Sequence, residues 1–280
     1  MTGRQFLVRG GAVVAALFLT VIFTVFLIPA RQIEGIVAQL CQRNGYTFSA
    51  TRFGKTLPLG IAARGVTIGT EQGPVVHLDR AAARLALLPL LAGKVKIVFD
   101  GNIGAGRIDG ELSPRGNGAA SLTLTGIPLA DVPFFKTVAD ADLKGELRAD
   151  AELKGLGPRA TGRLRLEVRG AEIRGVKISG MPLPDASYDT VRGMIRFGSG
   201  RATIDSFTLQ GADVYLRLKG EVMLASPPGN SPLNLSLELM PQPAFLDRQK
   251  LIFLLMAKYL VTPGDYRIPV RGTLGKPLLL

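Results

Sequence analysis

The chain has 280 residues, a formal net charge of +12, one cysteine and one histidine. One cysteine excludes an intramolecular disulfide, and one histidine excludes a His cluster for a metal. A basic surface suits nucleic acid or an anionic membrane. With no tryptophan and 6% aromatic residues, stacking platforms for single strands are missing, so the charge is assigned to a membrane and no nucleic-acid partner is expected.

In chain order, residues 11–30 (GAVVAALFLTVIFTVFLIPA) come first and carry no charged side chain. As a helix this run spans roughly 30 Å, the thickness of a bilayer's hydrocarbon core. A cleaved signal peptide is the competing reading. Its apolar core runs only about 7–15 residues and ends in a small-residue site, which Pro29-Ala30-Arg31 matches poorly. The run therefore reads as an uncleaved transmembrane anchor, with Val13, Val14, Leu17, Phe18, Val21, Ile22, Val25 and Phe26 as its membrane-anchor residues. Arg4 and Arg9 precede it without any acidic residue, which places the N-terminus in the cytoplasm and the bulk beyond the membrane. In a bacterium that is a single-pass inner-membrane protein with a periplasmic body.

Residues 31–43 follow as a short helix, with Ile33, Ile36, Val37 and Leu40 on one face. The expected division is therefore 1–43 for the cytoplasmic tip, anchor and juxtamembrane helix, and 44–280 for a β-rich periplasmic domain. From Tyr46 onward the apolar period is two. Leu143, Leu147, Ala149, Ala151 and Leu153 alternate with Lys144, Glu146, Arg148, Asp150 and Glu152. Leu164, Leu166 and Val168 alternate with Arg163, Arg165 and Glu167. Leu233, Leu235, Leu237 and Leu239 alternate with Asn234, Ser236 and Glu238. This pattern predicts an antiparallel sheet with one dry and one wet face. Glycine-marked turns recur about every 8–12 residues, as in a sandwich, barrel or long curled sheet.

Two stretches break the pattern. Residues 127–139 and 245–260 read as short amphipathic helices. Packed on the dry face they would act as a plug or lid, with Phe134, Phe135, Phe245, Leu251, Leu254 and Leu255 directed at it.

Residues that could carry chemistry are few. His77 lies in a strand-like context and Cys41 beside Leu40 on the short helix. Gly54-Lys55-Thr56 lacks the upstream glycine and the following helix of a phosphate loop. Gly104, Gly106 and Gly110 have the wrong spacing for a dinucleotide fingerprint and suit strand turns. Asp140 and Asp142 share a strand face and could hold a cation, although a solvated face explains them as well. No catalytic residue, cofactor or metal site is expected, and the chain reads as non-enzymatic.

Residues 83–112 (ARLALLPLLAGKVKIVFDGNIGAGRIDGEL) are similar to a recurring segment of the AsmA-like group of bacterial envelope proteins. Residues 266–279 (YRIPVRGTLGKPLL) resemble the ending of the type II secretion system protein N family (GspN), as does the order of anchor, β-rich body and terminal phrase. The resemblance implies a mainly β fold: a transmembrane helix, then a long curled antiparallel AsmA-like sheet with an apolar inner channel. It implies an inner-membrane component of a type II secretion system that binds partner subunits through its periplasmic domain. The alternative it implies is an AsmA-like envelope protein that holds or moves lipid in an apolar β groove. The expected partners are inner-membrane lipid, other secretion subunits and a bound lipid.

Overall fold

The computed structural model describes residues 30–114, 118–155, 160–178, 181–182, 185–225 and 227–279. The anchor residues from Val13 to Phe26 lie outside them. Among the described residues no helix is long and apolar enough to cross a membrane.

The period-two segments form one 15-stranded antiparallel sheet. Helix α1 (Ala30–Arg43) leads in. Then come β1 (Thr47–Thr56), β2 (Gly60–Thr70), β3 (Gly73–Leu85), α2 (Leu87–Leu91), β4 (Ile97–Ile103), β5 (Gly106–Ser113) and β6 (Ala119–Pro128). A single 3-10 turn (Leu129–Asp131) and α3 (Phe134–Ala139) lead to β7 (Asp142–Lys154) and β8 (Thr161–Arg174). A small separate pair, β9 (Lys177–Ile178) with β10 (Met181–Pro182), precedes β11 (Ala186–Gly198), β12 (Arg201–Gln210), β13 (Val214–Met223) and β14 (Leu233–Pro241). Helices α4 (Pro243–Arg248) and α5 (Lys250–Leu255) follow, then β15 (Leu260–Thr262), β16 (Asp265–Thr273) and β17 (Lys276–Leu279).

Each strand of the main sheet pairs with the strand before it in the chain, apart from the excursions β9–β10 and β15. Such a meander needs only short turns between neighbours, which the frequent glycines supply. Residues 73–85 are one strand, not two. Residues 103–112 are split by a hairpin turn at Gly104-Ala105.

Strands twist right-handedly by about 20–25° per pair, so a sheet of this width turns through well over half a revolution. The consequence is visible at its ends. The turn before β1 meets the loop between β13 and β14: a Cβ on Gly45 would stand 2.9 Å from Pro227 Cβ. The β2–β3 turn, through Glu71 and Gln72, likewise lines one cavity with Pro227 and with Lys276, the residue that opens β17. The two outer parts of the sheet are thus brought together without hydrogen-bonding into a closed barrel among the described residues.

The main core lies under the later strands. Val168, Tyr188, Val191, Leu209, Val214, Leu216, Leu239, Tyr266 and Ile268 are buried there against Phe245, Phe253, Met256 and Tyr259. These strand residues cluster where β11, β13 and β16 begin and β12 and β14 end, so α4 and α5 stopper one end of the sheet.

That stopper departs from the expected single helix over 245–260. The chain breaks at Gln249 (φ −118°, ψ 34°), giving two short helices and then a 3-10 turn (Ala257–Tyr259). Phe245 is buried as expected. Leu251, Leu254 and Leu255 are turned outward instead, at 80%, 72% and 61% exposure. Phe253 and Met256 take the inner positions, and Phe253 meets Phe245 edge-on with ring centroids 5.9 Å apart. Phe135 of α3 packs against the same core, and Phe134 meets Phe135 edge-on at 5.4 Å.

Candidate apolar groove

Strand register decides which side chains share a face. On the dry face, Phe53 of β1 stands opposite Ala63, which is opposite Ala81, then Gly101, Ile108 and Leu124. The same row continues through Ala149, Leu166, Gly193, Phe207, Leu218 and Leu237 to Ile268 of β16. A parallel row two residues away runs from Ile61 through Ala83, Phe99, Leu122, Leu164 and Ile195 to Leu235 and Val270. At about 4.8 Å between neighbouring strands, each row is on the order of 50–60 Å long. Neither contains a charged residue.

Glycines keep the floor of this face low. The ring of Phe99 lies across Gly110, so a Cβ there would collide with it. The ring of Phe207 lies across Gly193, where a Cβ would stand 2.7 Å from Phe207 Cδ2. Each ring covers its cross-strand glycine instead of standing up from the sheet. The middle of the face is only half-buried: Leu122, Leu124, Leu164, Leu166 and Ile195 all keep partial exposure. Among the described residues no second sheet covers them, since the other sheet is the two-residue pair β9–β10. The face is therefore an apolar trough, covered by α1 beside β1 and stoppered by α4 and α5 at the far side.

The wet face is organised by charge. Over the middle and later strands acids and bases pair: Arg163 with Glu152 (3.5 Å), Arg196 with Asp205 (2.6 Å), Arg201 with Glu221 (3.0 Å), and Lys219 with the buried Glu238 (2.6 Å). Over the first three strands they do not. Arg52 stands opposite Arg64, and Arg64 opposite Arg80. None of the three has an ion-pair partner among the described residues. Like charges in directly opposed positions destabilise a sheet.

The residues singled out for chemistry are placed as ordinary structure. His77 faces Thr67 across β2–β3, with Nδ1 3.0 Å from Thr67 Oγ1. Burial pushes the Cys41 thiol up, which lowers its thiolate fraction. Gly54-Lys55-Thr56 lies within β1. Lys136 Nζ reaches both Asp140 (3.8 Å) and Asp142 (3.2 Å), so their shared cation is a lysine of α3. Among the described residues no group of three or more His, Cys, Asp or Glu is placed to hold a metal. Burial also pushes the Tyr188 phenol well up.

Residue alternation marked the two faces correctly. It did not show that the cross-strand rows are continuous, because that depends on register. Nor did it single out Phe253 and Met256. Their signal was available in side-chain size, since large rings and methionine gain most from burial.

No protein-family model, no curated protein and no solved structure matches the chain.

Proposed function

We propose that the chain is a non-enzymatic, membrane-anchored envelope protein of the AsmA-like kind, whose curled sheet holds a lipid acyl chain along its dry face. Residues 11–30 are the anchor in this reading, with the N-terminus cytoplasmic and the sheet in the periplasm. The observation that carries the proposal is the pair of uncharged rows, one starting on β1 and the other on β2, that both run to β16, half-exposed in the middle and uncovered by a second sheet. Each methylene moved from water onto such a surface contributes about 0.8 kcal/mol, so a single acyl chain has ample driving force to lie there. Only flat contact with hydrocarbon is asked of these side chains, and no reacting group is needed. The full chain purified in mild detergent is expected to carry phospholipid detectable by lipid mass spectrometry, and a Leu122→Arg/Leu164→Arg variant is expected to carry less. Wild-type protein free of lipid, or a variant that retains as much, would refute the reading.

A second reading is favoured by a different observation. The phrase that resembles the type II secretion protein N family forms the β16–β17 hairpin at the rim of the main sheet. A hairpin at the rim of a sheet is a natural site for strand addition by a partner subunit. In this reading the chain is a structural component of a type II secretion system, and lipid binding serves that role. Unchanged release of exoproteins after deletion of the gene would rule it out.

A further inference from the structure

Helix α1 returns along the dry face of the first strands. Its last residue, Arg43, is joined by a three-residue turn to the start of β1 at Thr47, and its Val37 lines a small apolar cavity of about 110 Å³ that runs from Phe48, near that start, to Phe53, Ile61 and Ala83 farther along. Ile61 is one residue in from Gly60, where β2 begins beside the end of β1. The helix continues from Val37 back to Ala30, a further ~10 Å at 1.5 Å per residue. Its N-terminus therefore points to the end of the sheet that carries the β1–β2 turn and α2. The uncharged run 11–30 joins the structure at this point.

That same end is apolar and bare. Leu57, in the β1–β2 turn, is 75% exposed, and Leu88 and Leu91 of α2 are 81% and 58% exposed. The turn and α2 are neighbours: Leu85 N–H, two residues before α2, donates to Leu59 O at 3.0 Å. Arg84, Lys94 and Lys96 stand around these leucines in the chain, and Lys96 is ion-paired with Glu111 at 2.7 Å. Leucines at a tip with basic residues behind them match a bilayer edge, where hydrocarbon lies beneath anionic headgroups. An acidic protein partner would satisfy the basic residues but would have no use for three exposed leucines.

We infer that the Leu57/Leu88/Leu91 tip inserts shallowly into the bilayer entered by the anchor, so that the sheet stands on the membrane at two points. The inference rests on the anchor reading of residues 11–30 and adds a second, independent contact. Two contacts fix the tilt of the trough against the membrane, whereas a lone anchor leaves the body free to swing.

The test uses the full chain with Cys41→Ser and Leu88→Cys, labelled at position 88 with an environment-sensitive fluorophore. It is reconstituted into vesicles of phosphatidylcholine and phosphatidylglycerol. The same label at Thr262→Cys, on the exposed β15, serves as control. The expected result is a blue-shifted emission at position 88, with loss of most of that emission when the vesicles carry nitroxide on their acyl chains. Position 262 should show neither. Adding Leu57→Glu and Leu91→Glu to the labelled chain should abolish the shift and the quenching while far-UV circular dichroism stays unchanged. An unshifted label at position 88 overturns the inference. A blue shift without nitroxide quenching also overturns it and indicates a protein occupant. Flotation of the same samples separates the two layers of the argument. A chain that fails to float with vesicles refutes the anchor and the tip together, and one that floats with an unquenched label refutes the tip alone.

Discussion

Two residues two positions apart, one inside the end of α5 and one just past it, should differ widely in their response to substitution. Met256, which directly follows the helix, has no exposed surface and closes the core against Phe253. Truncation to alanine loses the transfer energy of the side chain and leaves a cavity, which together cost about 2–5 kcal/mol. For a domain of this size each kcal/mol lowers Tm by roughly 2–4 °C, so Met256→Ala should lose about 6–12 °C for a mid-range cost near 3 kcal/mol. Leu254 is 72% exposed. Even an aspartate placed there meets water, and the small apolar area that leucine covers is worth only about 0.5 kcal/mol, a shift of no more than ~2 °C. Both variants can be made in the full chain, purified in one detergent and melted by far-UV circular dichroism. If Leu254→Asp lowered Tm as much as Met256→Ala, the placement of α4 and α5 against the core would be wrong.

Two further outcomes are expected. Arg64→Glu places a carboxylate between Arg52 and Arg80, replacing two repulsive cross-strand pairs with attractive ones. A stabilisation of about 1 kcal/mol is expected at low salt and should shrink near ~1 M salt, where the screening length falls to about 3 Å. A destabilised variant would mean that the three guanidinium groups do not face one another. For Tyr188, burial raises the phenol pKa in the folded state above the unfolded value of about 10. The folded state then holds the proton that the unfolded state releases. Stability is fully present below about pH 10 and is lost as pH rises from there towards the folded pKa. Tyr188→Phe should flatten that alkaline loss in thermal melts, and an unchanged alkaline profile would show that the ring is solvated.

Much of the architecture was legible because a sheet with one dry face writes its period into the sequence. Leu164-Arg165-Leu166-Glu167-Val168 can be read as a strand, with its faces assigned, before any pairing is known. Residues 245–260 could not be read so far. The stretch is apolar on nearly every side, so one helical stripe through Leu251, Leu254 and Leu255 fits as well as another through Phe245, Ile252, Phe253 and Met256. The break at Gln249 and the larger gain from burying rings select the second. Register was also hidden. Arg52, Arg64 and Arg80 are scattered in the sequence and become a row only when β1, β2 and β3 pair. The tip is a third case. Leu57 reads as part of an extended strand pair, and Leu88 as the tail of the strand that precedes α2. Their shared exposure follows from two turns lying side by side.

The faces of β8 offer the most direct test of the trough. Leu164 lies in a dry-face row, whereas Arg165, the next residue, points the other way, with Asp150 opposite it. A photo-crosslinking amino acid at position 164 of the full chain, irradiated in vesicles that contain radiolabelled phospholipid, should yield a labelled lipid adduct, and the same probe at position 165 should yield none. Equal labelling at both positions, or none at 164, would contradict the claim that the dry face of the sheet holds lipid.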